Sequence, residues 1–147
     1  MSQPNRFVRL GPKAHVLFDA ALMLVCILAV YGWPLIFELH PLGRDFAVFG
    51  APSENASWLT RPLVRWEVAQ FGDWARGYHL INLALMYACM IGLYVLVGAA
   101  TSGPYWRRRI AAILFMANPA YEEAALQLSG AADLLPCLAA LLAVMLY

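Results

Sequence analysis

From Leu80 to Ala100 the chain runs for about 21 residues without a charged side chain, and one amide, Asn82, interrupts it. A helix needs about 20 predominantly apolar residues to cross the hydrocarbon core of a bilayer, so this run alone limits what the chain can become. A second run, Ala20 to Phe37, covers about 18 residues with no charged or amide side chain, and it extends backwards over His15–Asp19. The whole sequence of 147 residues is 63% apolar and 13% charged, with a mean hydropathy of +0.64. A soluble domain is about 45–50% apolar and about 25% charged. A small soluble domain, which must clothe much surface in polar groups, and a disordered chain are both excluded. The net charge of +1 also excludes a nucleic-acid partner. The lipid bilayer is the expected partner.

Arg6, Arg9 and Lys13 precede the first run, as in a signal peptide. That run is longer than a signal peptide's apolar region of about 7–15 residues, and no small-x-small cleavage site follows it. Gly32-Trp33-Pro34 places an interfacial aromatic and a helix breaker near its end. Two shorter runs complete the pattern. Ile110 to Tyr121 spans about 12 residues, and needs tilt, a thinned bilayer or protein cover to cross. Leu134 to Tyr147 spans about 14, approaching full length when Ala131-Ala132-Asp133 is added.

Charge sorts these runs into one topology. Arg6, Arg9, Lys13 and Arg107–Arg109 flank them with six basic residues and no acid, which the positive-inside rule assigns to the cytoplasm. The intervening segments carry four arginines against eight acids and face outward. The expectation is an all-α integral membrane protein of about four transmembrane helices in one membrane domain. Residues 1–13 form a cytoplasmic tail, 14–37 span one, 38–79 a long outer loop and 80–100 span two. Residues 101–109 are a cytoplasmic turn, 110–121 span three, 122–133 an outer turn and 134–147 span four. Asp19 falls inside span one, where it can pair with His15 or snorkel to the interface. A bacterial inner membrane is the expected location.

The outer loop is longer than a connector requires. Residues 38–57 are rich in Pro, Gly and single charges and read as irregular. Beyond them Thr60 can cap a helix and Pro62 fits its first turn. Leu59, Leu63, Trp66 and Val64, Val68, Phe71 recur at helical spacing, with Arg61, Arg65 and Glu67 among them. An amphipathic helix in the membrane surface is expected there, closed by Phe71-Gly72-Asp73. Asn55-Ala56-Ser57 matches a glycosylation triplet that chance often produces. Cys26, Cys89 and Cys137 are widely spaced in apolar runs and read as buried hydrophobes. His15, His40 and His79 are too scattered for a metal site, and no cofactor motif occurs.

Four short motifs recur in a familiar order. They are Arg61-Pro62-Leu63, Gly77-Tyr78-His79-Leu80-Ile81-Asn82-Leu83, Asn118-Pro119-Ala120-Tyr121-Glu122-Glu123-Ala124 and Ser129-Gly130-Ala131-Ala132-Asp133-Leu134-Leu135. In this order they resemble the N-terminal region of polytopic GT-C glycosyltransferases, specifically the O-mannosyltransferase-like proteins that often carry tetratricopeptide repeats. The resemblance covers over half the chain. It implies an enzyme that transfers a sugar from a polyprenyl-phosphate carrier to an acceptor hydroxyl on the outer face, with an acid of the first outer loop as catalytic base. The nearest matches to that acid are Asp45, preceded by Arg44, and Glu38, followed by Leu39. Four helices and one loop do not enclose both a lipid-linked donor and an acceptor. The resemblance therefore implies the N-terminal part of such an enzyme, or a non-catalytic membrane subunit derived from it that packs on other membrane subunits.

Physical chemistry ranks the remaining candidates. Arg61, at the head of the surface helix near headgroup level, suits a phosphate or an anionic lipid. His79 and Asn82 lie one turn apart and either face a common cleft or make an interhelical hydrogen bond. Glu123 and Asp133 flank the outer turn. Acids at membrane depth mark functional sites, whereas acids at a wet interface cap helix starts, and Asp133 before Leu134 fits an N-cap.

Overall fold

A computed structural model describes residues 12–36, 58–101 and 103–147. These form six α-helices: α1 Pro12–Tyr31, α2 Arg61–Phe71, α3 Ala75–Ala100, α4 Tyr105–Met116, α5 Pro119–Leu126 and α6 Ala131–Leu146. Short 3-10 turns lie at Trp33–Leu35 and Leu128–Gly130. No strand occurs among the described residues. Three helical segments are long and apolar enough to cross a membrane: Lys13–Tyr31, Ala75–Ala100 and Leu128–Leu146.

The central element is α3, which touches every other helix. Its buried face carries Leu83, Met86, Met90 and Tyr94. On α1 only one residue per turn is buried, Asp19, Met23, Ile27 and Tyr31, which is the spacing of a narrow helical stripe. Most of the rest of α1, including Leu17, Phe18 and Val25, is exposed. Such a helix has a lipid-facing perimeter and one seam for its neighbours.

Side-chain bonds fix the helix directions. Tyr94 of α3 donates to Asp19 at the start of α1 (2.7 Å), so these two helices run antiparallel. Arg109 at the start of α4 also reaches Asp19, while Tyr31 at the end of α1 donates to the Met116 carbonyl (2.8 Å), so α4 runs with α1. Cys89 Sγ approaches the Leu134 carbonyl (3.6 Å), and Gly92 lies against Leu141, so α6 runs with α3. The bundle thus has a near end, where α1 and α4 begin, and a far end, where α3 and α6 begin. Tryptophans sit exposed at both: Trp33, Trp66 and Trp74 at the far end and Trp106 at the near end. Aromatic side chains favour membrane–water interfaces in this way.

The third apolar run, expected as one helix over residues 110–121, is broken. Its helix begins earlier, at Tyr105, and stops at Met116; a second begins at Pro119. The reason is local. Pro119 takes the first helical position, which forces Asn118 into extended backbone, φ −75° and ψ 123°. Asn118 Oδ1 then accepts from the Ala120 amide (3.1 Å) and caps α5. With 12 residues, α4 rises about 18 Å and does not itself reach across a hydrocarbon core. The second long helix likewise starts at Ala75, ahead of its apolar run, and the last at Ala131.

Candidate functional site

The far end gathers all four motif segments. Arg61 opens α2, Gly77–Leu83 forms the first turns of α3, Asn118–Ala124 caps and starts α5, and Ser129–Leu135 leads into α6. Helix α2 and α3 form a tight hairpin. Gly72, with φ 50°, closes α2 in the left-handed region that glycine tolerates. Tyr78 then donates to the Gly72 carbonyl (2.9 Å), and Phe71 packs edge-on to Tyr78 with ring centroids 5.5 Å apart. Gly77 faces the same ring; a Cβ there would overlap Phe71. Asn82 Nδ2 donates to the Gln127 carbonyl (2.6 Å), tying α3 to the lead-in of α6. Gly130 sits between Ala124 and Asn82, where a Cβ would collide with the Ala124 carbonyl. Helix α2 packs on both α3 and α6, so the four segments share one junction.

The expected site residues fall into three groups. Asp45 and Glu38 lie outside the described residues, as does residues 38–57 of the outer loop. Arg61, His79 and Asn82 are drawn to the junction: Arg61 is half-buried, and His79 and Asn82 are buried in the first turns of α3. Asn82 makes the inter-element hydrogen bond that its position allowed. Glu123 and Asp133 are exposed. Glu123 accepts from Gln127 Nε2 (2.5 Å). Asp133 does not cap its helix, because α6 begins at Ala131 with Gly130 at the N-cap. It stands in the first turn, where its charge favours the helix dipole. Thr60 does occupy the N-cap of α2, yet its side chain makes no capping bond to that helix.

For two residues the sequence reading missed the surroundings. The first is Glu67, on the face of α2 that buries Val64, and only 2% exposed. Its Oε1 has no hydrogen-bond partner, and burial pushes its carboxyl up to about 7. A signal was present: Glu67 lies at i+3 from Val64 and i−4 from Phe71, on the apolar stripe itself. The second is Asp19. It pairs with neither His15 nor solvent but with Arg109 (2.7 Å) and Tyr94, while His15 stacks on Tyr105. Only the helix packing brings a residue 90 positions away into reach. Above this pair an apolar cavity of about 50 Å³ opens between α1, α3 and α4, lined by Met23, Cys26, Met90 and Ile113.

Among the described residues no group of three His, Cys, Asp or Glu side chains is placed to hold a metal ion. No family model, curated protein or solved structure matches this chain. What is defined is therefore a class: an all-helical protein with three helices long and apolar enough to cross a membrane, and a polar junction at one end of the bundle.

Proposed function

We propose that this chain is a membrane-embedded module of GT-C type, the first part of a glycosyltransferase that uses a polyprenyl-phosphate-linked sugar on the outer face of a bacterial inner membrane. The far end of the bundle is then the outer face. The broken pair α4 and α5 completes a fourth crossing, with the N-terminus and Arg107–Arg109 in the cytoplasm, in keeping with the positive-inside rule. The observation that carries this reading is the convergence of the four motif segments at one junction, although they lie as far apart as Arg61 and Leu135 in sequence. A charged donor phosphate needs a cation at headgroup depth, and Arg61 at the start of α2 is the residue best positioned for it.

The test is lipid binding. The protein in nanodiscs, examined by native mass spectrometry, should retain a polyprenyl phosphate in preference to a phosphatidylglycerol of similar charge. Equal retention of both lipids removes the carrier role and leaves the alternative, a non-catalytic subunit that packs in a larger membrane complex.

A further inference from the structure

The near end of the bundle carries charge of one sign. Among the described residues it holds Lys13, Arg107, Arg108 and Arg109 against a single acid, Asp19, a net charge of +3. Arg109 is taken up by Asp19. Lys13, Arg107 and Arg108 form no ion pair among the described residues. Arg108 is the most closely held of the three. It is half-buried, and its guanidinium lies 4.9 Å over the Tyr105 ring and 5.9 Å over the Tyr94 ring. It also packs against Gly98, where a Cβ would overlap it. Its Nη2 reaches the Gly98 carbonyl at 3.5 Å, long for a hydrogen bond, and its Nε has no partner. A guanidinium fixed by rings and backbone, with no carboxylate on it, is set in advance for an anion.

Tyr105 joins this cation to a second one. Together with Lys13, Val16 and Leu17 it lines an open groove of about 480 Å³ where α1 and α4 begin. Lys13, Val16 and Leu17 share one face of α1 by their spacing, and Val16 and Leu17 are exposed. The neighbouring Trp106 is exposed as well, as an interfacial residue is. The groove is therefore cationic at the helix starts and apolar one turn further in. An acidic peptide or a free phosphate would meet the charge and leave the apolar face bare. An amphiphile with an anionic head and a hydrocarbon chain matches both. We propose that this groove binds one anionic phospholipid of the adjoining leaflet. Its phosphate lies on Lys13 and Arg108, to either side of Tyr105, and an acyl chain runs along Val16 and Leu17. The site goes beyond the sugar-carrier reading and does not depend on it, since it holds whichever way the near end faces.

The full chain in nanodiscs is irradiated with a phosphatidylglycerol that carries a diazirine on its acyl chain near the glycerol, and crosslinked peptides are mapped by mass spectrometry. Crosslinks should concentrate on residues 13–17 and 105–109, and the matching phosphatidylcholine probe should give far fewer there. Lys13→Gln and Arg108→Gln should each lower this crosslinking about fivefold, the worth of one basic residue at an anionic surface. Gly98→Ala should lower it too, because it keeps every charge and displaces the Arg108 guanidinium. Arg107→Gln makes the same charge change at an exposed arginine that lies over Trp106, outside the groove, and should lower it less. Three results overturn the site: equal crosslinking by phosphatidylcholine, an Arg107→Gln effect as large as that of Arg108→Gln, or crosslinking unchanged in Gly98→Ala. Loss of the crosslinks to excess soluble glycerol 3-phosphate assigns the groove to a free phosphate and refutes the lipid. Arg108→Gln, with helical circular dichroism unchanged, should still retain polyprenyl phosphate, so this site and the carrier reading fail separately.

Discussion

Arg109 holds Asp19 at 2.7 Å across the α1–α4 contact, and the carboxylate, 1% exposed, also accepts from Tyr94 of α3. Three helices are therefore fastened at one point, around a carboxylate whose burial makes it costly to leave unpaired. The neighbouring arginine does other work: the Arg108 guanidinium lies over the Tyr105 ring at 4.9 Å and over Tyr94 at 5.9 Å. The basic cluster that reads in sequence as a topology signal is thus also a packing device.

Removing Arg109 strands a buried carboxylate. Arg109→Ala should destabilise the bundle by about 3–5 kcal/mol, the usual cost of breaking a buried pair from one side. The double variant Asp19→Leu, Arg109→Met should cost much less than the two single changes added together. Unfolding in mixed micelles, run as a double-mutant cycle, measures the coupling.

Glu67 makes stability depend on pH in a particular direction. Its folded value, about 7, lies above its ordinary value of 4.5, so the folded state binds the proton more tightly. The stabilisation is fully present below about 4.5 and is lost as pH rises through about 7. The span corresponds to about 3 kcal/mol at most, at 1.36 kcal/mol per unit. Melting should shift down between mildly acidic and mildly alkaline buffer, and Glu67→Gln should flatten the dependence.

Gly130 leaves no room for a side chain against the Ala124 carbonyl. Gly130→Ala should cost about 1–3 kcal/mol, the range for overpacking a tight site. Because the clash is with backbone, the shift should also break the Asn82–Gln127 bond, and hydrogen exchange should quicken at the start of α6. Gly92→Ala, which meets only ordinary contact with Leu141 at 3.7 Å, is the mild control.

Arg61→Ala should weaken binding of polyprenyl phosphate by about 1.5–3 kcal/mol, the worth of hydrogen bonds to a charged group. Arg61→Lys should recover only part, since lysine keeps the charge and loses the planar fork. Binding equal to that of the natural sequence in both variants would assign Arg61 to packing.

Much of this architecture is legible in the sequence. Run length announced the long helices at Lys13–Tyr31 and Ala75–Ala100, because a helix in lipid must keep its apolar stretch unbroken. The amphipathic spacing around Val64 and Phe71 announced α2 and its hairpin end at Gly72. The break at Asn118-Pro119 was written in the sequence as well, since a proline ends a helix, yet Ile110–Tyr121 carries no charged side chain and reads as one run. Asp19 and Glu67 were harder. A charge on an apolar stripe reads equally as snorkelling, interfacial or buried, and its partner or lack of one is decided by packing between helices distant in sequence.

The central claim is that the far-end junction faces outward and the Arg107–Arg109 turn faces the cytoplasm. Cys26, Cys89 and Cys137 are first replaced by serine or alanine, and single cysteines are placed at Asp73, Gly103 and Glu123. A membrane-impermeant maleimide added to intact cells should label Asp73→Cys and Glu123→Cys, and should reach Gly103→Cys only after the membrane is opened. Labelling of Gly103→Cys from outside, or protection of Glu123→Cys until the membrane is opened, would contradict the four-crossing topology and the outward-facing site together.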